Sequence, residues 1–205
     1  MPTAEIPLGR VNLSHLLWRQ NHDLVRQTLE IPFIQKLYDG SIQESRLNEY
    51  LRQDRYFQHI IRPYRQFIKA QMDKSKFDPN QGKVILEQQM QSVNSLGITS
   101  NPAINDYIQY ILANSGRLDT AAASLLPCSK LYKFLTRYFS RINPSDKCKQ
   151  WIDEHTYSGY KNNTNQLEYL VDSLQDSNID ELSKIFREGL EHEISFFSQV
   201  DKKLH

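Results

Sequence analysis

The chain has 205 residues, enough to bury one core with a pocket in it. Its 25 Lys and Arg nearly balance 24 Asp and Glu, so no excess charge draws it to polyanions or anionic lipid, and a small molecule is the expected partner, not nucleic acid or membrane. Cys128 and Cys148 are too few for a disulfide framework, and no apolar run reaches the roughly 20 residues of a membrane span, which together point to a reducing, cytoplasmic setting.

In chain order, residues 1–10 lack the basic start and apolar run of a secretory signal and are expected to form a short lead-in, with 11–205 as one domain. Only seven glycines interrupt a chain rich in Leu, Gln, Glu, Lys and Arg, so the expected class is all-α. Asn12 caps a first helix carrying Leu13, Leu16, Leu17 and Leu24, which ends at Ile31-Pro32, and Asp39-Gly40 marks a turn. A long helix from Glu44 to Gln71 shows an apolar stripe running from Leu47 to Ile68, with a kink expected at Pro63. Further helices are expected at about Gln81–Leu96, stopped by Gly97, then at Pro102–Asn114 and Leu118–Ser140. After Asn143-Pro144-Ser145 a helix should run to about Tyr160. Asn162 to Thr164 read as a break, and the last helix covers about Ile179–Lys203.

The chemistry-bearing residues are few. A dimetal carboxylate site needs repeated Glu-x-x-His, and no histidine follows a Glu at that spacing, so neither a protein-bound metal nor an iron or haem cofactor is expected. Lys130, Lys133, Arg137 and Arg141 form a basic stripe interleaved with Tyr132, Phe134, Tyr138 and Phe139. That pattern describes an amphipathic surface helix better than a nucleic-acid platform. A free cysteine is most often an inert core thiol, but Pro127 beside Cys128 should start or break a helix, and donors exposed there would favour thiolate. Asp54 falls on the apolar side of its helix with Phe57 one turn away. Glu193 precedes Phe196 and Phe197 by one turn. An acid facing aromatics must be paired, hydrogen-bonded or protonated.

Taken in order, Phe33-Ile34-Gln35 with Asp39-Gly40-Ser41, Tyr50-Leu51-Arg52-Gln53-Asp54, Leu125-Leu126-Pro127-Cys128 with Tyr132, Trp151-Ile152, and Glu193 with Phe196-Phe197 resemble the TenA/thiaminase II family through nearly the whole chain. The resemblance implies a haem-oxygenase-like helical bundle, usually a homotetramer. It further implies a cofactor-free hydrolase that converts aminomethyl-pyrimidine or thiamin to hydroxymethyl-pyrimidine in thiamin salvage. On that reading Cys128 is the nucleophile, Asp54 holds the aminopyrimidine, Glu193 binds and shuttles protons, Tyr107 and Tyr132 line the pocket, and Phe57 stacks on the ring. A protonated, electron-poor pyrimidine can accept a thiolate. The site therefore needs a nucleophile, two carboxylates and flat walls.

The chain departs from the family pattern at three places. Ile31 stands where a histidine often precedes the Pro-Phe pair, no histidine occurs in residues 87–93, and His155 replaces a pocket tyrosine. At the last, either His155 lines the pocket or the register slips and Tyr157 supplies the phenol. Four residues from Trp151 is one helical turn, which favours His155. A non-catalytic, pyrimidine-binding or regulatory member of the same fold is the alternative function.

Overall fold

The structure is a computed structural model that describes residues 12–71, 77–97, 99–141, 143–156, 158–174 and 177–200, with side chains of the ninth helix described from residue 164. Among these residues there are ten α-helices and no strand: α1 Leu13–Gln20, α2 His22–Glu30, α3 Pro32–Asp39, α4 Glu44–Ala70, α5 Pro79–Ser95, α6 Pro102–Ala113, α7 Leu118–Ser140, α8 Asp146–Thr156, α9 Ser158–Asp172 and α10 Ile179–Gln199. The expected lead-in, Tyr157 and the end of the last helix near Lys203 lie outside the described residues. None of the described helices is long and apolar enough to cross a membrane.

Local chemistry explains most helix ends. The side chains of Asn12, Asp78, Asn101 and Asn178 each accept a hydrogen bond from a backbone N–H of the first turn they cap. Gly40 ends α3 in the left-handed region at φ +80°, and a Cβ there would also lie 2.7 Å from Ser145 Cβ, so both backbone and space call for glycine.

Three expectations need correction. The first helix does not run unbroken to Ile31: Asn21 separates α1 from α2, its side-chain amide donating to the Leu17 carbonyl at 2.9 Å and so drawing a helical acceptor into a turn. The break at 162–164 is absent, and α9 runs through it. Thr164 is fully buried and its hydroxyl donates to the Ser129 carbonyl of α7 at 3.4 Å, so tertiary contact takes up a group that would otherwise compete with the helix. Pro127 neither starts nor breaks a helix, since α7 continues on both sides of it.

α7 is the axis of the molecule. α10, α9, α8, α6 and α4 all contact it, and from Thr120 to Ser129 every residue is buried, so this stretch is covered on all sides. Its closest neighbour is α10 at Gly189, where an added Cβ would fall 2.6 Å from Pro127 Cγ and 3.1 Å from Tyr110 Oη. The proline ring thus occupies the space a side chain would take, and the two helices meet backbone to ring. Gly189→Ala is expected to destabilise the fold by about 1–3 kcal/mol through overpacking. Gly116→Ala, at a position with nothing within 4 Å, should stay within about 0.5 kcal/mol. Urea unfolding of both variants measures the difference.

Candidate active site

Five helices, α4, α6, α7, α8 and α10, bring the site together. On α4, Phe57 and Gln58 lie three and four residues after Asp54, Ile61 four and three after them, and Arg65 four after Ile61, so these residues share one face of the helix. That face points inward: Asp54 is 8% exposed and Arg65 3%. α7 contributes Cys128, directly after the proline that touches Gly189. α10 contributes Glu193, one turn beyond that glycine. The close approach of the two helices therefore sets the cysteine beside the carboxyl.

Burial decides the state of Glu193. The residue is 1% exposed, and loss of solvent raises its pKa from 4.5 to about 8, against the lowering effects of hydrogen bonding to Tyr107 and Cys128 and of the Arg65 charge. Neither Glu193 Oε1 nor Tyr107 Oη reaches a hydrogen-bond partner of ordinary length. The carboxyl is thus a protonated acid at neutral pH, with capacity left to engage a polar ligand.

Asp54 meets a different environment. His155, 4% exposed, points Nε2 at Asp54 Oδ2 across 3.4 Å, while its Nδ1 donates to the Trp151 carbonyl at 2.6 Å. A carbonyl only accepts, so Nδ1 carries a proton, and this second bond fixes the ring's orientation. The imidazole is held between Trp151 and Tyr132, at ring-centroid distances of 4.3 and 4.8 Å. On its other oxygen Asp54 accepts from Gln58 Nε2 at 3.5 Å. Gln58 Oε1 accepts from Arg65 Nη1 at 3.3 Å, and Arg65 Nη2 reaches Cys128 Sγ at 3.9 Å. A polar chain therefore runs from His155 through Asp54, Gln58 and Arg65 to the thiol.

Aromatic side chains enclose this chain. Tyr132 shares a 2.6 Å hydrogen bond with Tyr50, and burial pushes both phenols well above their usual range. Phe57 and Tyr107 stack at 4.7 Å, with His192 against the other side of Tyr107 at 5.2 Å. One face of Phe57 is thus taken by Tyr107. From outside, a cleft of about 500 Å³ lined by Asp54, Gln58, His59, Arg62, Arg65 and Glu154 reaches the polar chain.

All seven residues singled out from the sequence fall in or beside this region. The reason for noticing Cys128 changes, however. It lies within α7, so no free helix start serves it, and the donor beside it is the Arg65 guanidinium. Arg65 and Gln58 were not anticipated. The available signal was an arginine standing on the apolar face of α4, four residues after Ile61 and three before Ile68. The basic stripe of α7 lies elsewhere, in an outer cleft of about 360 Å³. There Lys130 and Lys133 both pair with Glu168, and Phe134 and Tyr138 line the cleft with the cations, Phe134 also packing against the core.

The Glu193 shift has a stability consequence. Between its unfolded value of 4.5 and about 8 the native chain holds a proton that the unfolded chain has released, so this residue's contribution to stability falls as pH rises through that window. Glu193→Gln should remove the dependence. Its melting temperature relative to wild type is expected to climb steadily from pH 4.5 to about 8, and a constant difference would contradict the assignment.

Comparison with known proteins agrees with this architecture. The family model TENA/THI-4/PQQC matches residues 83–201, more than half of the chain. Among solved structures, a TenA homologue from P. horikoshii superposes with a TM-score of 0.72 at 20% identity, covering 92% of this chain and 97% of that one. A Silicibacter protein named as a TenA family transcription regulator gives 0.70 at 17% identity, with 92% and 96% coverage. A Sulfolobus solfataricus protein named as TenA-like thiaminase gives 0.68 at 19% identity, with 91% and 94% coverage. No curated protein sequence matches significantly. With the family match spanning most of α5 and all of α6 to α10, and the helical-bundle fold shared over 91–92% of the chain, the chain belongs to the TENA/THI-4/PQQC family.

Proposed function

We propose that the chain is a hydrolase that releases hydroxymethyl-pyrimidine from aminomethyl-pyrimidine or thiamin, acting in thiamin salvage. One observation carries the reading. A buried thiol, Cys128, has a carboxyl held protonated to about 8 on one side and a guanidinium on the other. That arrangement supplies a nucleophile and a general acid at the same pH.

The steps balance with these groups alone. With its ring nitrogen protonated and held opposite Asp54, the pyrimidine accepts Cys128 Sγ at a ring carbon. Electrons pushed through the ring break the bond from the exocyclic methylene to nitrogen, and Glu193 protonates the departing amine. Water then adds to the methylene and gives its proton to the Glu193 carboxylate. Loss of the thiolate restores the aromatic ring. Net, one water enters and ammonia leaves; with thiamin the thiazole departs with the bonding pair as a neutral base, needs no proton from Glu193, and the proton of the added water is released to solvent. Tyr107, Tyr132 and Phe57 supply flat walls, and His155 orients Asp54.

A second reading is a pyrimidine-binding regulatory protein, favoured by the name of the Silicibacter neighbour. Product formation separates the two. Incubation with aminomethyl-pyrimidine or thiamin should yield hydroxymethyl-pyrimidine on chromatography, whereas binding without product would support the regulatory reading. Cys128→Ser is expected to abolish turnover while pyrimidine binding measured by calorimetry persists, because an alcohol fills nearly the same space but is a far weaker nucleophile. Glu193→Gln and Asp54→Asn should each lose about 10²-fold in kcat. Near-wild-type activity of the serine variant would remove Cys128 from the mechanism.

A further inference from the structure

Arg65 presents a problem of charge. It is 3% exposed, and a buried guanidinium without a counter-anion is costly. No carboxylate lies within ion-pair distance of it among the described residues. Nη1 meets the neutral amide oxygen of Gln58, Nη2 meets Cys128 Sγ at 3.9 Å, and Nε has no partner. The two acids nearby are otherwise committed. Glu193 is a protonated acid at neutral pH, and Asp54 stands beyond Gln58 against His155. Among the described residues, the remaining group able to carry negative charge in contact with the guanidinium is the thiol.

Extending the reading of Cys128 as the nucleophile, we infer that Arg65 is a positioning residue that keeps Cys128 as a thiolate, with Gln58 holding the guanidinium in place from its other side. The cost of the buried cation and the cost of the buried thiolate then offset each other, and neither charge is stable there alone. Gln58 suits the task because its two ends differ: the amide oxygen faces the arginine and the amide nitrogen faces Asp54. Among the described residues, the groups felt by the sulfur include Arg65 on α4, Tyr107 on α6 and Glu193 on α10, together with Tyr132 on α7 itself. Of these it is Arg65 that carries positive charge and so can pair with a thiolate.

Thiolate titration tests this without any substrate. The far-ultraviolet absorbance of wild type minus Cys128→Ser, followed against pH, reads the ionisation of Cys128 directly. Cys148, buried and pushed up to about 11, cancels in the difference. In wild type the thiolate signal should already be present near pH 7, below the ordinary cysteine value. Arg65→Met should lose the neutral-pH signal and slow alkylation of Cys128 by iodoacetamide at pH 7 by about tenfold or more, and Arg65→Lys should restore part of both. Gln58→Leu, which keeps the guanidinium but removes its strap, should fall between. Should Arg65→Met not fold, the wild-type and Gln58→Leu titrations still decide. A wild-type thiol that ionises only at alkaline pH, or variant titrations that superpose on wild type, would overturn the inference. A neutral-pH thiolate with no hydroxymethyl-pyrimidine formed would instead overturn the substrate reading and leave the role of Arg65 standing.

Discussion

The close approach of α10 to α7 at Gly189 is the constraint on which the site depends. Pro127 cannot donate a backbone hydrogen bond, but its ring fills the space that any side chain at position 189 would need. Cys128 follows the proline, and Glu193 lies one turn past the glycine. The contact therefore fixes the separation of thiol and carboxyl through two rigid helices instead of a loop. Tyr110 reinforces it, donating from its hydroxyl to the Ile185 carbonyl one turn before Gly189.

Burial at that depth then determines the electrostatics. Glu193, Asp54 and Arg65 sit in one enclosed region, and each is stabilised differently. Glu193 faces aromatic rings and remains protonated to about 8. Asp54 borders the outer cleft, accepts from Gln58 and faces an imidazole whose orientation the Trp151 carbonyl sets. Arg65 contacts an amide and a sulfur. Two carboxyl groups with such unlike surroundings are suited to different tasks, which is the usual basis for dividing roles within a site. The enclosing rings matter for the same reason, since they exclude the water that would level these differences.

The sequence alone determined the helical class, most helix boundaries and the residues that gather in the site. Its apolar steps of three and four, its Asn and Asp caps and its Gly40 turn are local signals, and local signals suffice for elements. Asn21 and the 162–164 segment misled because their outcome rests on partners elsewhere, the Leu17 carbonyl in one case and the Ser129 carbonyl in the other. Cys128, Asp54 and Glu193 were recognisable from the order of motifs along the chain, but not the manner in which they interact. The tertiary structure decided that Pro127 lies within a helix, that His155 faces Asp54, and that the buried Arg65 touches the thiol. Those facts depend on which surfaces of α4, α7, α8 and α10 meet. Periodicity shows that a residue faces inward, and only packing shows which charge it finds there.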